Sequence, residues 1–269
     1  MSKIRSFFGF TRHSYYLFSA FLLICLLIVY IWWPLVEEYF AYAGGQLPWY
    51  AYIDWLLLGI FAFMSLTIMS RADLKVDGLI VLVGLCGGLV IESWGTQTNL
   101  WHYYTAERPP LWIIPAWPIA SLSIDRITRS LHWLTARMNE NFFRVAYWVA
   151  FLGFYALMLA FVAPTFDKSY TLVSLTICAL MILTPPNKRR SFLIFVSGSA
   201  LGKFLERWGT TRECRTYYTN QTPPVFAVFA HGMAAVAFWR TGLLVQKVWE
   251  KLPGLTQSRL PWPDRDRNP

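Results

Sequence analysis

Residues 92–110 read ESWGTQTNLWHYYTAERPP, and residues 206–224 read ERWGTTRECRTYYTNQTPP. Laid over one another at an offset of 114, the two stretches agree at nine of 19 positions without a gap, where about one match would arise by chance at ordinary residue frequencies. The motif E-x-W-G-T-x6-Y-Y-T-x3-P-P therefore occurs twice, and duplication of one unit decides the architecture.

Working outward from the motifs, the chain is 56% hydrophobic, 18% aromatic and only 14% charged, the balance of a membrane protein rather than a soluble one. Apolar blocks at 15–33, 51–70, 78–94, 111–124, 143–163, 170–183, 191–208 and 225–239 read as about eight transmembrane helices. The expected fold is all-α and polytopic, with two parallel four-helix repeats at 1–124 and 143–248. A cytoplasmic amphipathic linker at 125–142 joins them, because Ile127, Leu131, Leu134 and Met138 recur at helical spacing among Arg126, Arg129 and Arg137. Residues 249–269, rich in Pro, Arg and Asp, read as a disordered cytoplasmic tail. At the repeat offset the second, third and fourth helices fall on the sixth, seventh and eighth, while the first and fifth need an insertion.

The net charge of +9 does not point to nucleic acid once its placement is considered. With the N-terminus inside, 18 of the 24 Lys and Arg residues lie on the cytoplasmic side and 6 outside, four of those around the second motif. The positive-inside rule thus predicts an inner-membrane protein with both termini cytoplasmic and both motifs near the outer face. A cleaved signal peptide is not expected, since the small-residue site Ala41-Tyr42-Ala43 lies beyond Pro34, Glu37 and Glu38. Cys25, Cys86 and Cys178 fall within predicted helices and Cys214 in a loop, so no disulfide framework or metal spacing is read. No cofactor motif is present. The oligomeric state is open, a homo-oligomer included.

Before each motif the third helix of the repeat has only a short uncharged stretch, 79–91 and 192–201, too little to cross a hydrocarbon layer of about 30 Å. The helix must continue through the motif, which places Glu92 and Glu206 about 5–10 Å inside the boundary. An ionisable group there costs about 2.5–3.5 kcal/mol when charged, so its default reading is functional. The architectural alternative is a glutamate that bonds helix ends or pairs with an Arg to hold the halves together. Lys203 stands one turn before Glu206 and favours its ionised form, whereas the matching Leu89 leaves Glu92 in an apolar surround that favours the protonated one. Glu92 is accordingly expected as proton donor and Glu206 as the orienting or accepting carboxylate, with the reverse left open.

Trp94, Trp208, Tyr103, Tyr104, Tyr217 and Tyr218 are candidate substrate-binding residues, whose ring faces could stabilise a carbocation. Interfacial anchoring accounts for them equally well. His231, where the first half has Trp117, is a candidate second proton carrier or a hydrogen-bonded core histidine. Gly95 and Gly209 are expected to end their helices, Thr96 and Thr210 to satisfy freed backbone groups, and the Pro pairs 109–110 and 223–224 to start the next helix.

Residues 88–117, with Glu92, Gly95, Tyr103-Tyr104-Thr105, Pro109 and Pro115-Ala116-Trp117, resemble the membrane-bound carotenoid hydratases, the bisanhydrobacterioruberin hydratase group. They are more loosely similar to the small integral-membrane terpene and lycopene cyclases. In those families intramembrane acids protonate an isoprenoid double bond, so the resemblance implies hydration or cyclisation of a carotenoid-type lipid, with that lipid as partner. The Pro-Phe-Gly that precedes the tyrosines in the hydratases is replaced by Leu100-Trp101-His102 and Cys214-Arg215-Thr216, with the spacing shortened. Two other classes remain open: a proton- or cation-coupled carrier rocking about the carboxylates, and a non-catalytic subunit of a membrane complex.

Overall fold

The structure, a computed structural model, describes residues 9–43, 50, 53–249 and 251. The proposed tail from Pro253 onward and the side chains at 42 and 43 lie outside the described residues. Eight α-helices are present among them: α1 (Arg12–Ala43), α2 (Trp55–Met69), α3 (Leu74–Gln97), α4 (Ala116–Leu134), α5 (Glu140–Val162), α6 (Ser169–Leu183), α7 (Lys188–Thr211) and α8 (Val225–Trp249). Two three-residue strands, β1 (Trp101–Tyr103) and β2 (Arg215–Tyr217), complete the architecture. Of the helices, α1, α3, α5 and α8 are long and apolar enough to cross a membrane, and α2 and α6 are shorter apolar helices.

The repeat is visible in the element bounds themselves. Adding 114 to the ends of α2, α3 and β1 gives the ends of α6, α7 and β2, residue for residue. The N-caps follow the same rule: Asp73 accepts from Lys75 N before α3, and Asn187 from Arg190 N before α7. The left-handed residues after the motif helices, Asn99 and Glu213 (φ 59° and 54°), are also 114 apart. The first helices need the expected insertion. Tyr104 donates its hydroxyl to Ile31 O of α1 and Tyr218 to Phe161 O of α5, which are 130 apart, so 130 − 114 = 16 extra residues lie between first and second helices of the first half.

Within each half the fourth helix closes the second from below. Arg126 of α4 donates to Ser70 O at the C-terminus of α2, and Arg240 of α8 donates to Met181 O (2.5 Å) and Thr184 Oγ1 at the C-terminus of α6. A guanidinium at a helix C-terminus satisfies orphan carbonyls and opposes the negative dipole end. Arg126 also makes a 2.7 Å ion pair with buried Asp77, whose counterpart in the second half is the uncharged Ser191. The halves are tied directly by Thr128 Oγ1 donating to Ser197 Oγ at 3.0 Å, and by the antiparallel pairing of β1 with β2.

Three local expectations are corrected. A separate linker helix is not formed, because α4 runs unbroken from Ala116 to Leu134 and turns into α5 through Asn139, which caps that helix by accepting from Asn141 N. Leu111–Ile113 is instead a single 3-10 turn: Pro115 and Pro118 lack amide donors, so regular helix starts later than in α8, which begins at Val225. Nor do Gly95 and Gly209 end their helices, which continue to Gln97 and Thr211. The continuation of both helices through Glu92 and Glu206 agrees with the sequence reading.

Candidate functional site

Four pairs of residues related by the 114 offset converge where the halves meet: Glu92 and Glu206, Trp101 and Arg215, Tyr103 and Tyr217, Trp117 and His231. Both glutamates are 1% exposed. The strand register explains the convergence. His102 lies opposite Thr216, its own counterpart, while Trp101 faces Tyr217 and Tyr103 faces Arg215, so a pseudo-twofold axis passes through the middle of the strand pair. Residues on either side of that axis reach the carboxylates of both halves.

Each glutamate is framed by glycines one turn away, and these decide what can approach it. A Cβ at Gly88 would lie 2.5 Å from the Trp117 indole, and one at Gly95 would lie 1.9 Å from the Trp101 ring. Both indoles can therefore lean onto α3. Trp101 Nε1 donates to Glu92 Oε2 at 2.9 Å, Trp117 Nε1 to Oε1 at 3.2 Å, and Tyr103 OH to Oε1 at 2.9 Å. Glu92 thus has three neutral donors. In the second half Gly202 seats His231, whose Cβ would be 2.6 Å from an added methyl, but Gly209 has no neighbour within 4 Å because the indole is replaced by the slimmer Arg215. His231 Nε2 lies 2.7 Å from Glu206 Oε1, Tyr217 OH donates to Oε2 at 2.8 Å, and Arg215 Nη2 bonds Oε1. The same scaffold so carries two unlike cages, one built of neutral donors and one in which an arginine and a histidine join the tyrosine.

Arg215 also couples the cages. Its Nη1 donates to Tyr103 OH at 3.3 Å and lies 3.9 Å from Glu92 Oε1. The guanidinium stands over Tyr103 and Tyr217, 5.7 and 5.3 Å from their ring centroids. Trp117 stacks on His231 with centroids 5.4 Å apart and planes 18° apart, so the indole that bonds Glu92 is also one wall of the imidazole.

A cavity of about 520 Å³ opens beside the Glu206 cage. Glu206, Arg215, Tyr217 and His231 form its polar end, and its walls are α3, α5, α6 and α8. It continues along α8 as far as Val245, about 21 Å beyond His231 at 1.5 Å per residue. Val90 of α3 and Ile177 of α6 line it while being 68% and 48% exposed, so its side is open to the surroundings of the bundle. Glu92 does not line this cavity; Trp101 and Trp117, which bond it, do.

The remaining sequence candidates divide by their contacts. Trp94 lines the cavity and donates to Thr171 Oγ1 of α6 at 3.2 Å, crossing from the first half to the second. Trp208 makes the converse link, to Asp54 Oδ2 at the N-cap of α2 (2.8 Å). Asp54 also accepts from Arg212 Nε at 3.0 Å. Burial pushes its carboxyl up, but the bonds from Leu57 N, Arg212 and Trp208 outweigh that and hold it below the usual carboxylate range. Tyr104 and Tyr218 fasten the first helix of each half and do not touch the carboxylates. Thr96 and Thr210 bond back to Glu92 O and Glu206 O within their helices. Lys203 and Arg207 are exposed, so Arg215 rather than Lys203 is the cation that bonds Glu206.

Three residues of the site were not singled out from the sequence: Trp101, Trp117 and Arg215. The signal was present in the positions where the motif copies differ, read together with the Gly four residues before each glutamate that makes room for Trp117 or His231. Comparison with known protein families, with characterised proteins and with solved structures gives no match.

Proposed function

We propose that the chain is an integral membrane enzyme, all eight helices crossing the bilayer, that protonates a carbon–carbon double bond of a neutral isoprenoid-type lipid. Both termini are cytoplasmic and the motif face points outward. The short α2 and α6, about 22 Å long at 1.5 Å per residue, cross where the helices around them thin the layer. The observation that carries the reading is the long apolar cavity that is open along its side and ends on the His231–Glu206 pair.

The charges at that end favour a neutral lipid. Arg215 and His231 are both engaged by Glu206, and Glu92 lies 3.9 Å from Arg215, so neither cation is free for a diphosphate or carboxylate headgroup. His231, protonated and held by Glu206, gives its proton to one alkene carbon; the π pair becomes the new C–H bond and the neighbouring carbon becomes cationic. The positive charge moves from imidazolium to carbon rather than being created, and the faces of Trp94, Trp101 and Trp117 surround it. Water then adds and returns a proton to His231, giving hydration, or a second double bond attacks and the adjacent carbon loses a proton to His231, giving cyclisation. Glu92, which does not line the cavity and is held by neutral donors, is assigned to positioning Trp101 and Trp117. The bonds that tie the halves at both ends favour a fixed site over a carrier with rocking repeats.

The test compares membrane lipid extracts by mass spectrometry from cells lacking the protein and cells complemented with wild type, His231→Gln or Glu206→Gln. Accumulation of an unsaturated neutral precursor that clears only with wild type is expected. Extracts that are identical in all strains contradict the proposal.

A further inference from the structure

A second cavity, of about 50 Å³, lies at the other end of the bundle from the motifs, between α3, α4, α7 and α8. Its lining is mostly apolar, as in the large cavity, but it also includes Ser121, Asp125, Thr128, Arg190 and the indole of Trp239. Trp239 is 7% exposed, and its buried indole N–H has no hydrogen-bond partner among the described residues. A cavity of this size holds a water molecule when two to four polar groups face it, and a buried indole donor without an acceptor is stabilised by one. Asp125 is neutralised by Arg126 at 3.0 Å and Arg129 at 2.6 Å, which leaves water rather than a cation as the fitting occupant.

The two cavities share two lining residues, Val83 and Phe238. Phe238 fills a notch on α3: a Cβ added at Gly87 would lie 2.0 Å from its ring, and the ring packs edge-on to Trp117 at 5.9 Å. Phe238 and Val83 together stand between the two cavities. From Phe238 to His231 is seven residues of α8, about 10 Å at 1.5 Å per residue. Among the described residues the motif end is tightly packed: Leu100, Trp101, Tyr103, Cys214 and Tyr217 on and beside the strand pair are each at most 5% exposed.

We propose that the small cavity under Trp239 is a water site that supplies water and protons to the lipid cavity from the motif-distal side, with Phe238 as the barrier between them. The water site stands on its own geometry; its use as a supply rests on the reading of the lipid cavity as a proton-transfer site. Its test needs no lipid substrate, so it fails or succeeds independently of that reading.

Two chains are placed in sealed vesicles and exposed to a cationic methanethiosulfonate reagent from one side at a time. The first is free of native cysteine and carries Ser121→Cys. Labelling from the motif-distal side alone is expected, and no labelling, or labelling from the motif side, overturns the water site. The second keeps Cys86, which lines the lipid cavity, with Cys25, Cys178 and Cys214 changed to Ser. Phe238→Ala is expected to raise its labelling rate from the motif-distal side by about tenfold or more, since a charged reagent does not pass an apolar barrier. An unchanged rate, or an equal rise from both sides, overturns the barrier. If Phe238→Ala does not fold, Phe238→Leu in the same chain gives the same reading with a smaller rise.

Discussion

Arg215→Ala leaves Glu206, 1% exposed, with Tyr217 and His231 as its remaining bonds. Removing one partner of a buried ion pair costs about 3–5 kcal/mol, because the other charge stays buried and unpaired. For a chain of this length that is a fall of about 6–20 °C in the unfolding midpoint, taking about 2–4 °C per kcal/mol. The repeat makes a sharper demand. Position 215 corresponds to Trp101, and Gly209, the counterpart of the glycine that seats that indole, is still a glycine with no neighbour within 4 Å. Arg215→Trp can therefore copy the first half and return an N–H donor to Glu206. A hydrogen bond to a charged group contributes about 1.5–3 kcal/mol, so about half of the loss should be recovered. Thermal unfolding of purified protein in detergent, followed by loss of the monodisperse peak, ranks the chains wild type, Arg215→Trp, Arg215→Ala. Equal midpoints for the two variants would refute the idea that the cages share one scaffold.

Other outcomes follow from the same geometry. Gly95→Ala drives a methyl into the Trp101 ring and should destabilise by about 1–3 kcal/mol, whereas Gly209→Ala meets open space and should be neutral or gain up to about 1 kcal/mol of helix propensity; paired melts of the two variants check this. Arg126→Met strips the partner from buried Asp77, with a loss of about 3 kcal/mol or more, and Asp77→Ser, which copies Ser191, in that background should restore part of it. Because the Asp54 carboxyl is held below its ordinary value, its bonds to Trp208 and Arg212 stabilise fully above about pH 4 and are lost as pH falls through the lowered folded value. The midpoint difference between wild type and Asp54→Asn should accordingly shrink in acid, and a difference independent of pH would contradict that link.

How far the sequence alone reached is clearest at the motifs. Because the copies keep their spacing without a gap, the helix bounds of one half could be carried to the other, and the short apolar stretches before the glutamates showed that the helices continue through both motifs. The strands were not legible: three residues with no partner nearby in sequence carry no periodicity, and only the twofold arrangement brings Trp101 opposite Tyr217. Asymmetry was sought in the wrong neighbour for a related reason. Lys203 is one turn from Glu206 in sequence but points outward, while Arg215, nine residues away, folds back through the strand onto the carboxylate. That the cage of Glu206 and His231 faces the cavity while Glu92 does not was hidden for the same reason, since it depends on how α3, α6 and α8 pack and not on the motif.

The central claim is proton transfer from His231 to carbon, and isotope incorporation tests it most directly. Purified protein in lipid nanodiscs is given the neutral lipid fraction of the deletion strain in deuterated water, and products are analysed by mass spectrometry. The account predicts carbon-bound deuterium in a product made by wild type and absent with His231→Gln. A product without carbon-bound deuterium, or one labelled equally by His231→Gln, would contradict it.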